Sequence, residues 1–193
     1  MVDSFTLSTE APERDRALGT SRVGAQFAFD RLTPSIMAPS TRTQQWIELA
    51  AGSTRADFAR RHPGYFLVCS SIDAGPAREV RWIRPRAGAA TAAEARVTIG
   101  REARCDLPLV HPSIASRHAA LFLDDAGRPI ALSDLGSANG TRINGKPLPP
   151  NARRALDPRD QLQLGSVAAA VVEAERAYDL LLELAQQRMR PLG

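Results

Sequence analysis

The sequence has few of the features that mark membrane, secreted or metal-binding proteins. It contains two cysteines and three histidines, and no run of about 18 apolar residues that would suit a transmembrane helix. Cys69 and Cys105 fit neither the paired spacing of a metal site nor a disulfide framework, and are predicted to be small buried side chains. The first residues show no basic stretch followed by an apolar one, the mark of a secretory signal. These absences predict a soluble, cytoplasmic protein without a metal or a cofactor.

Lysine is almost absent, because 24 of the 25 basic residues are arginine. The formal net charge is +4, and residues 78–104 alone hold seven arginines against three glutamates. A local excess of arginine suits an anionic partner, since the guanidinium group matches the oxygens of a phosphate. The charge alone does not distinguish among a phosphopeptide, a nucleic acid and a membrane headgroup as the anionic partner.

The amino-terminal part of the chain contains few sustained apolar patterns. Residues 1–42 scatter Ser, Thr and Pro, which predicts a flexible or loosely docked arm. Residues 43–63 are predicted to form a short helical segment, with one helix over Gln44–Ala51. A second helix is expected to start with Ser53 as its N-cap and to end before Pro63.

From Tyr65 onward, short β-type runs alternate with turn residues, the pattern expected of an all-β sandwich over residues 64–172. The predicted strands are Tyr65–Ser70, Glu79–Arg84, Arg96–Gly100, Leu107–Val110, His118–Leu123, Ile130–Asp134, Thr141–Ile143, Gln161–Leu164 and Val167–Val172. Gly75-Pro76 and residues 85–93 are predicted loops.

The last segment, residues 173–193, changes to a helical period. Apolar side chains from Ala174 to Ala185 fall on one helical face, which predicts a helix that continues to about residue 189. This helix is expected to pack on its own sandwich; the alternative is a partner-binding or dimer helix.

Three short signatures follow one another within the predicted β-region. They are Ile99-Gly100-Arg101, then His111-Pro112-Ser113-Ile114-Ala115-Ser116-Arg117-His118, and then Leu135-Gly136-Ser137-Ala138-Asn139-Gly140-Thr141 followed by Ile143-Asn144-Gly145. Together they resemble the forkhead-associated (FHA) domain family, whose pattern runs glycine-arginine, Ser-Arg-x-His, Gly-Ser-x-Asn-Gly-Thr and Asn-Gly. The resemblance covers about residues 65–172. It implies an antiparallel FHA-type β-sandwich, here with short helices before it and one helix after it, whose loops at one end bind a phosphothreonine peptide.

The resemblance also implies which residues form the site. The expected phosphopeptide-binding residues are Arg101, Ser116, Arg117, Asn139 and Ser113, and the expected structural supports of the site are Gly100, His118, Gly136 and Gly140. A planar guanidinium fork forms strong charge-assisted hydrogen bonds to phosphate, which suits Arg101 after a turn glycine. The alternatives are that Arg101 and Arg117 are ordinary surface charges and that Asn139 only forms a turn.

The chain departs from the family pattern where the phosphate-binding serine is expected. That position, three before His118, is Ala115, so Ser116 or Ser113 would have to supply the hydroxyl. Ala138 likewise stands where some family members carry a threonine. Loss of one donor to a charged acceptor costs about 1.5–3 kcal/mol, or roughly ten- to hundredfold in affinity.

The sequence therefore predicts a non-enzymatic adaptor that binds a phosphothreonine protein, itself the substrate of a Ser/Thr kinase, in cytoplasmic signalling. The alternative is a phosphate-independent FHA-fold scaffold or assembly subunit. Neither a nucleophile elbow nor metal spacing among the histidines indicates catalysis, and no nucleic-acid motif accompanies the basic window. Self-interaction through the arm is a further hypothesis, because Thr33 is followed three residues later by Ile36.

Overall fold

The computed structural model describes residues 41–72, 78–84 and 95–189, in which two β-sheets carry a layer of three helices. The helices are α1 (Thr41–Ala51), α2 (Arg55–Arg61) and α3 (Ala174–Met189). The strands are β1 (Tyr65–Ser71), β2 (Arg78–Ile83), β3 (Arg96–Gly100), β4 (Leu107–Pro108), β5 (Ala119–Leu123), β6 (Pro129–Asp134), β7 (Thr141–Ile143), β8 (Lys146–Leu148), β9 (Arg153–Ala155), β10 (Leu162–Leu164) and β11 (Val167–Glu173). Nearly all of the predicted arm and both predicted loops, at Gly75-Pro76 and 85–93, lie outside the described residues.

The strands form two sheets that confirm the predicted mainly β, FHA-type sandwich. The first sheet has the order β2-β1-β11-β10-β7-β8, and all of its neighbouring strands pair antiparallel. The second has the order β4-β3-β5-β6-β9 and is antiparallel except for the short β3–β4 pair. Strand β1 is buried on both faces. Leu67 and Cys69 face the inner core between the sheets, whereas Phe66 and Val68 face the helices.

The inner core is aliphatic. Its fully buried members include Leu67, Ile99, Leu121, Leu132, Ile143 and Leu164. Each such side chain stabilises the fold by about 1.5–3 kcal/mol relative to an exposed one. Burial raises the pKa of the Cys69 thiol to about 12, which makes this cysteine an inert core residue. These residues occupy alternate positions of facing strands, which matches the period of two in the sequence. The loops connect the strand ends and therefore lie at the ends of the sandwich.

The helices cover the outer face of the first sheet through a second core that is rich in aromatic rings. Phe58 stacks on Phe66, and Trp46 meets Phe66 edge to face. From α3, Ala177 and Leu181 are fully buried in this cluster, and the Tyr178 hydroxyl donates to Ser53 O at 3.0 Å. The apolar face of α3 therefore packs on its own fold.

The two short helices differ in detail from the prediction. Helix α1 begins at Thr41 rather than Gln44, because the buried Thr43 hydroxyl accepts a hydrogen bond from Val80 N at 3.1 Å, a tertiary contact that periodicity does not reveal. The predicted N-cap Ser53 is wrong by one residue. Thr54 caps α2 by accepting from Asp57 N at 3.1 Å, while the Ser53 hydroxyl donates back to Leu49 O at 2.8 Å.

Two strands are missing from the sequence prediction. β8 follows the predicted turn at Asn144-Gly145, where both residues have positive φ, 52° and 76°, as a tight hairpin requires. β9 pairs with the end of β6. Pro147 in β8 and the adjacent arginines in β9 hide the alternation that would have revealed these strands.

Candidate functional site

Four loops meet at one end of the sandwich. They follow β3 (101–106), β4 (109–118), β6 (135–140) and β10 (165–166). Backbone hydrogen bonds tie them together, from Arg101 N to Ala115 O at 2.9 Å and from Gly165 N to Gly140 O at 2.9 Å. This end carries every site residue that the sequence predicts.

Gly100 allows the first two of these loops to approach each other. A Cβ at this position would lie 2.3 Å from Ser116 O and 2.9 Å from the Cys105 sulfur, closer than any side chain tolerates. The adjacent backbone bonds, from His118 N to Ile99 O and from Leu109 N to Gly100 O, are both 2.8 Å. The close packing therefore requires glycine at position 100. Arg101, which follows it, is exposed at the surface.

Arg101, Ser116 and Arg117 are exposed on these two loops. Among the described residues, the guanidinium groups of Arg101 and Arg117 take part in no hydrogen bond or ion pair, so both remain available to an anion. Arg104 behaves differently, because it is bonded to Glu102. Hydrogen bonds from Arg104 and from Ser116 lower the pKa of Glu102, which keeps that carboxylate charged beside the loop.

His118 is fully buried, and its ring contacts the loop after β4 and the loop after β6. Its Nδ1 accepts from Ala115 N at 3.2 Å, so the ring proton is on Nε2, which lies 3.3 Å from Gly140 O. Burial lowers the pKa of His118 despite the nearby Asp134 carboxylate, and the ring is neutral at pH 7. Since backbone atoms occupy both ring nitrogens, the imidazole is not placed to act as a general base for Ser116.

Asp134, at the end of β6, is a site residue that the sequence analysis did not identify. It is 1% exposed, and its two carboxylate oxygens accept four hydrogen bonds. The donors are Gly136 N and Ser137 N at 2.8 Å and the hydroxyls of Ser137 and Thr141 at 2.6 Å. Burial opposes ionisation, but these bonds outweigh it and lower the pKa of Asp134. The carboxylate thus fixes the turn that presents Asn139.

Asn139 is exposed at the tip of this turn, and its Nδ2 donates to Ser113 O at 2.9 Å. The amide therefore does more than form a turn, because it joins the loop after β6 to the loop after β4. Gly136 and Gly140 flank the tip with φ of 80° and 70°, a backbone region that favours glycine.

Ser113 is half-buried and held by hydrogen bonds to two other residues. Its hydroxyl lies 2.9 Å from His111 Nδ1 and accepts from Ser166 N at 2.9 Å. Gly165 is packed against it, since a Cβ there would lie 2.6 Å from Ser113 O. Ser166 is 53 positions away in the chain, so spacing alone could not reveal this contact. Ser116 is thus the more exposed of the two hydroxyls that could replace the serine missing at Ala115.

Among the described residues, no group of three or more His, Cys, Asp or Glu side chains is arranged to hold a metal ion. None of the helices α1–α3 has the length and apolar character needed to cross a membrane. The loop end instead combines exposed guanidinium groups, a hydroxyl and an amide on a backbone fixed by His118 and Asp134, which suits recognition of an anionic group.

Comparison with known proteins agrees with the motifs. The FHA domain family model matches residues 97–165, and no curated protein matches the chain. Among solved structures, the chain is similar to the N-terminal FHA domain of Rad53p from S. cerevisiae in complex with a phosphothreonine peptide, with 19% identity and a TM-score of 0.46 over 61% of this chain and 98% of that one. It is also similar to the FHA domain of the CT664 protein from Chlamydia trachomatis, with 18% identity and a TM-score of 0.43 over 56% of this chain and 95% of that one.

The family match spans β3 to the end of β10 and includes all three signatures and the four loops. FHA domains are phosphothreonine-binding modules rather than enzymes. Residues 97–165 of this chain therefore match the forkhead-associated (FHA) domain family.

Proposed function

We propose that this protein is a phosphothreonine-peptide adaptor in cytoplasmic Ser/Thr kinase signalling, and that its loop end is the binding site. The main support for the proposal is the pair of exposed guanidinium groups, Arg101 and Arg117, which form no hydrogen bond or ion pair among the described residues and lie on loops fixed by a buried histidine. Rigid presentation matters, because a pre-ordered site loses little conformational entropy when a peptide binds.

Each predicted site residue has a distinct proposed role. Arg101 binds the phosphate oxygens, with Arg117 adding positive charge and the Ser116 hydroxyl donating in place of the serine missing at Ala115. Asn139 uses its amide oxygen to accept from the peptide backbone while its nitrogen remains bonded to Ser113 O. The proposed role of Ser113 is to support the loop, since its hydroxyl is engaged with Ser166 and His111.

A second candidate function is a phosphate-independent scaffold on the same fold. It is favoured by one specific feature, namely that Ala115 lacks the hydroxyl of the expected phosphate-binding serine and Ala138 lacks the hydroxyl that some family members carry. Such a protein would recognise its partner through loop shape, and its binding would not depend on phosphorylation.

An oriented phosphothreonine peptide library, offered to the full chain and selected again after phosphatase treatment, distinguishes the two functions. The adaptor enriches specific phosphothreonine peptides and loses them after dephosphorylation. The scaffold retains equal binding before and after treatment. Enrichment of phosphoserine and phosphothreonine peptides to the same extent, with no sequence preference, would show simple charge attraction and contradict the adaptor proposal.

A further inference from the structure

A second basic surface lies at the edges of the two sheets, on β8, β9 and the neighbouring β7. Strand β8 is one edge of the first sheet and β9 is one edge of the second, and only residues 149–152 connect them. Four cationic side chains lie on or beside these edges. We refer to Arg142, Lys146, Arg153 and Arg154 as the basic edge.

The basic edge has no acidic partner in the described part of the chain. None of its four cations takes part in the ion pairs found there, whereas Arg55, Arg128 and Arg176 each pair with a carboxylate. Arg153 instead lies over the Phe122 ring, with its guanidinium carbon 4.0 Å from the ring centre. This contact holds one of the cations in a fixed position beside the strand.

The backbone of β9 is open on its outer side. Leu156 N donates to Ile130 O at 2.9 Å, and the register pairs Arg154 with Leu132. Because antiparallel neighbours alternate between bonded and non-bonded pairs, Arg154 directs its N–H and C=O toward β6. Arg153 and Ala155, both exposed, therefore direct theirs away from the sheet.

Two other edge strands are protected. The N–H of Val80 in β2 is bonded by the Thr43 hydroxyl of α1. Pro147 in the middle of β8 has no N–H to donate, and Pro149 and Pro150 follow directly. β9 contains no proline, and no described side chain bonds to its outer edge.

We propose that β9 is a docking strand for an acidic, extended segment of a partner protein. The segment adds to the second sheet beside β9, bonding the outward N–H and C=O groups of Arg153 and Ala155, and places its carboxylates next to Arg153, Arg154 and Lys146. Charge decides against a second copy of this chain as the occupant, since pairing of two β9 edges would bring like charges together. This surface goes beyond the proposed phosphopeptide site and does not depend on it.

The test uses the full chain and three labelled probes in fluorescence anisotropy. The first is a peptide of alternating glutamate and valine, which can form a strand. The second has the same charge but carries proline in place of valine, so it cannot pair with an edge. The third is a single-stranded oligonucleotide. We expect the first peptide to bind at least tenfold more tightly than the second and the third, and to weaken as salt increases.

Two variants locate the interaction. Arg153→Gln with Arg154→Gln should weaken binding of the first peptide on the order of fivefold, while the matched control, Arg42→Gln with Arg61→Gln, removes the same charge elsewhere and should leave binding unchanged. Ala155→Pro removes only an outward donor and should also weaken binding. Native melting temperatures and native secondary structure check that each variant is folded.

Equal binding of the valine and proline peptides, or no binding of either, would overturn the proposal. Tighter binding of the oligonucleotide would also overturn it and would identify the basic edge as a nucleic-acid surface. The comparison of peptides on the unmodified protein stays decisive even if Ala155→Pro fails to fold.

Discussion

Ala115 is the residue at which this chain departs most directly from the pattern of the FHA family that it matches. Its backbone N–H donates to His118 and its C=O accepts from Arg101 N, so the loop backbone is already in place and only a hydroxyl is missing. We predict that Ala115→Ser strengthens binding of a phosphothreonine peptide by roughly tenfold, because it adds a donor to a charged acceptor. Titration calorimetry measures the change. No gain in affinity would mean that Ser116 already supplies this donor or that no phosphate binds here.

Asp134 acts on the site through the turn it orders. We predict that Asp134→Asn lowers the free energy of unfolding by about 1–3 kcal/mol, because an amide cannot accept from all four donors. It should also weaken phosphopeptide binding, because the tip carrying Asn139 loses its support. Urea unfolding and calorimetry measure the two effects.

The matched control for this variant is Asp124→Asn. Asp124 accepts from Ala126 N and Arg128 N in the turn between β5 and β6, at the opposite end of the sandwich. It should cost stability without changing affinity. If Asp134→Asn behaves in the same way, the turn after β6 does not position the binding residues.

Helix α3 stabilises the fold through the second core, between the helices and the first sheet. Leu181 is fully buried between the helices and the first sheet, together with Phe58 and Phe66. We predict that Leu181→Ala costs about 2–5 kcal/mol in unfolding free energy, whereas the exposed Leu49→Ala in α1 costs under about 1 kcal/mol. Urea denaturation compares them. Equal small costs would indicate that α3 is not packed on its own domain.

The sequence predicts those elements in which the spacing of apolar residues matches the positions that are buried in the fold. β1 and β3 have buried runs, and the face of α3 follows a helical period, so each is predicted close to its observed limits. β8 and β9 were missed because their short segments contain proline or adjacent charges and form only in the context of the sheets.

The same distinction holds within the site. Arg101 and Asn139 were predicted because they lie in short motifs that resemble a family. The hydrogen bonds of Ser113 and Asp134, in contrast, join residues that are brought together only by the fold. The arm carrying Thr33 lies outside the described residues, and its self-interaction stays a prediction.

The free energy of unfolding of the whole protein should depend on pH through His118. Burial lowers its pKa below the ordinary value of 6.5, so the unfolded chain binds a proton that the folded chain does not. The free energy of unfolding is therefore complete above about pH 6.5 and falls as the pH decreases below it. Asp134, whose pKa is also lowered, adds a further loss below its ordinary value of 3.8.

Urea unfolding of the wild type and of His118→Gln between pH 5 and 8 measures this effect. The wild type should lose stability below about pH 6.5 more steeply than the variant. The comparison is needed because burial also lowers the pKa of His62, which remains in both proteins. Parallel pH profiles would contradict a neutral, buried His118.

The proposed function depends on phosphothreonine binding at the loop end through Arg101. The most direct test is the affinity of the full chain for a library-selected phosphothreonine peptide and for its unphosphorylated twin, measured for wild type, Arg101→Ala and the exposed control Arg61→Ala. We predict that only the phosphorylated peptide binds, that Arg101→Ala reduces its affinity by roughly 10- to 100-fold with little change in melting temperature, and that Arg61→Ala leaves it unchanged. Equal binding of both peptides, or an unchanged affinity in Arg101→Ala, would show that the loop end does not bind phosphothreonine through Arg101.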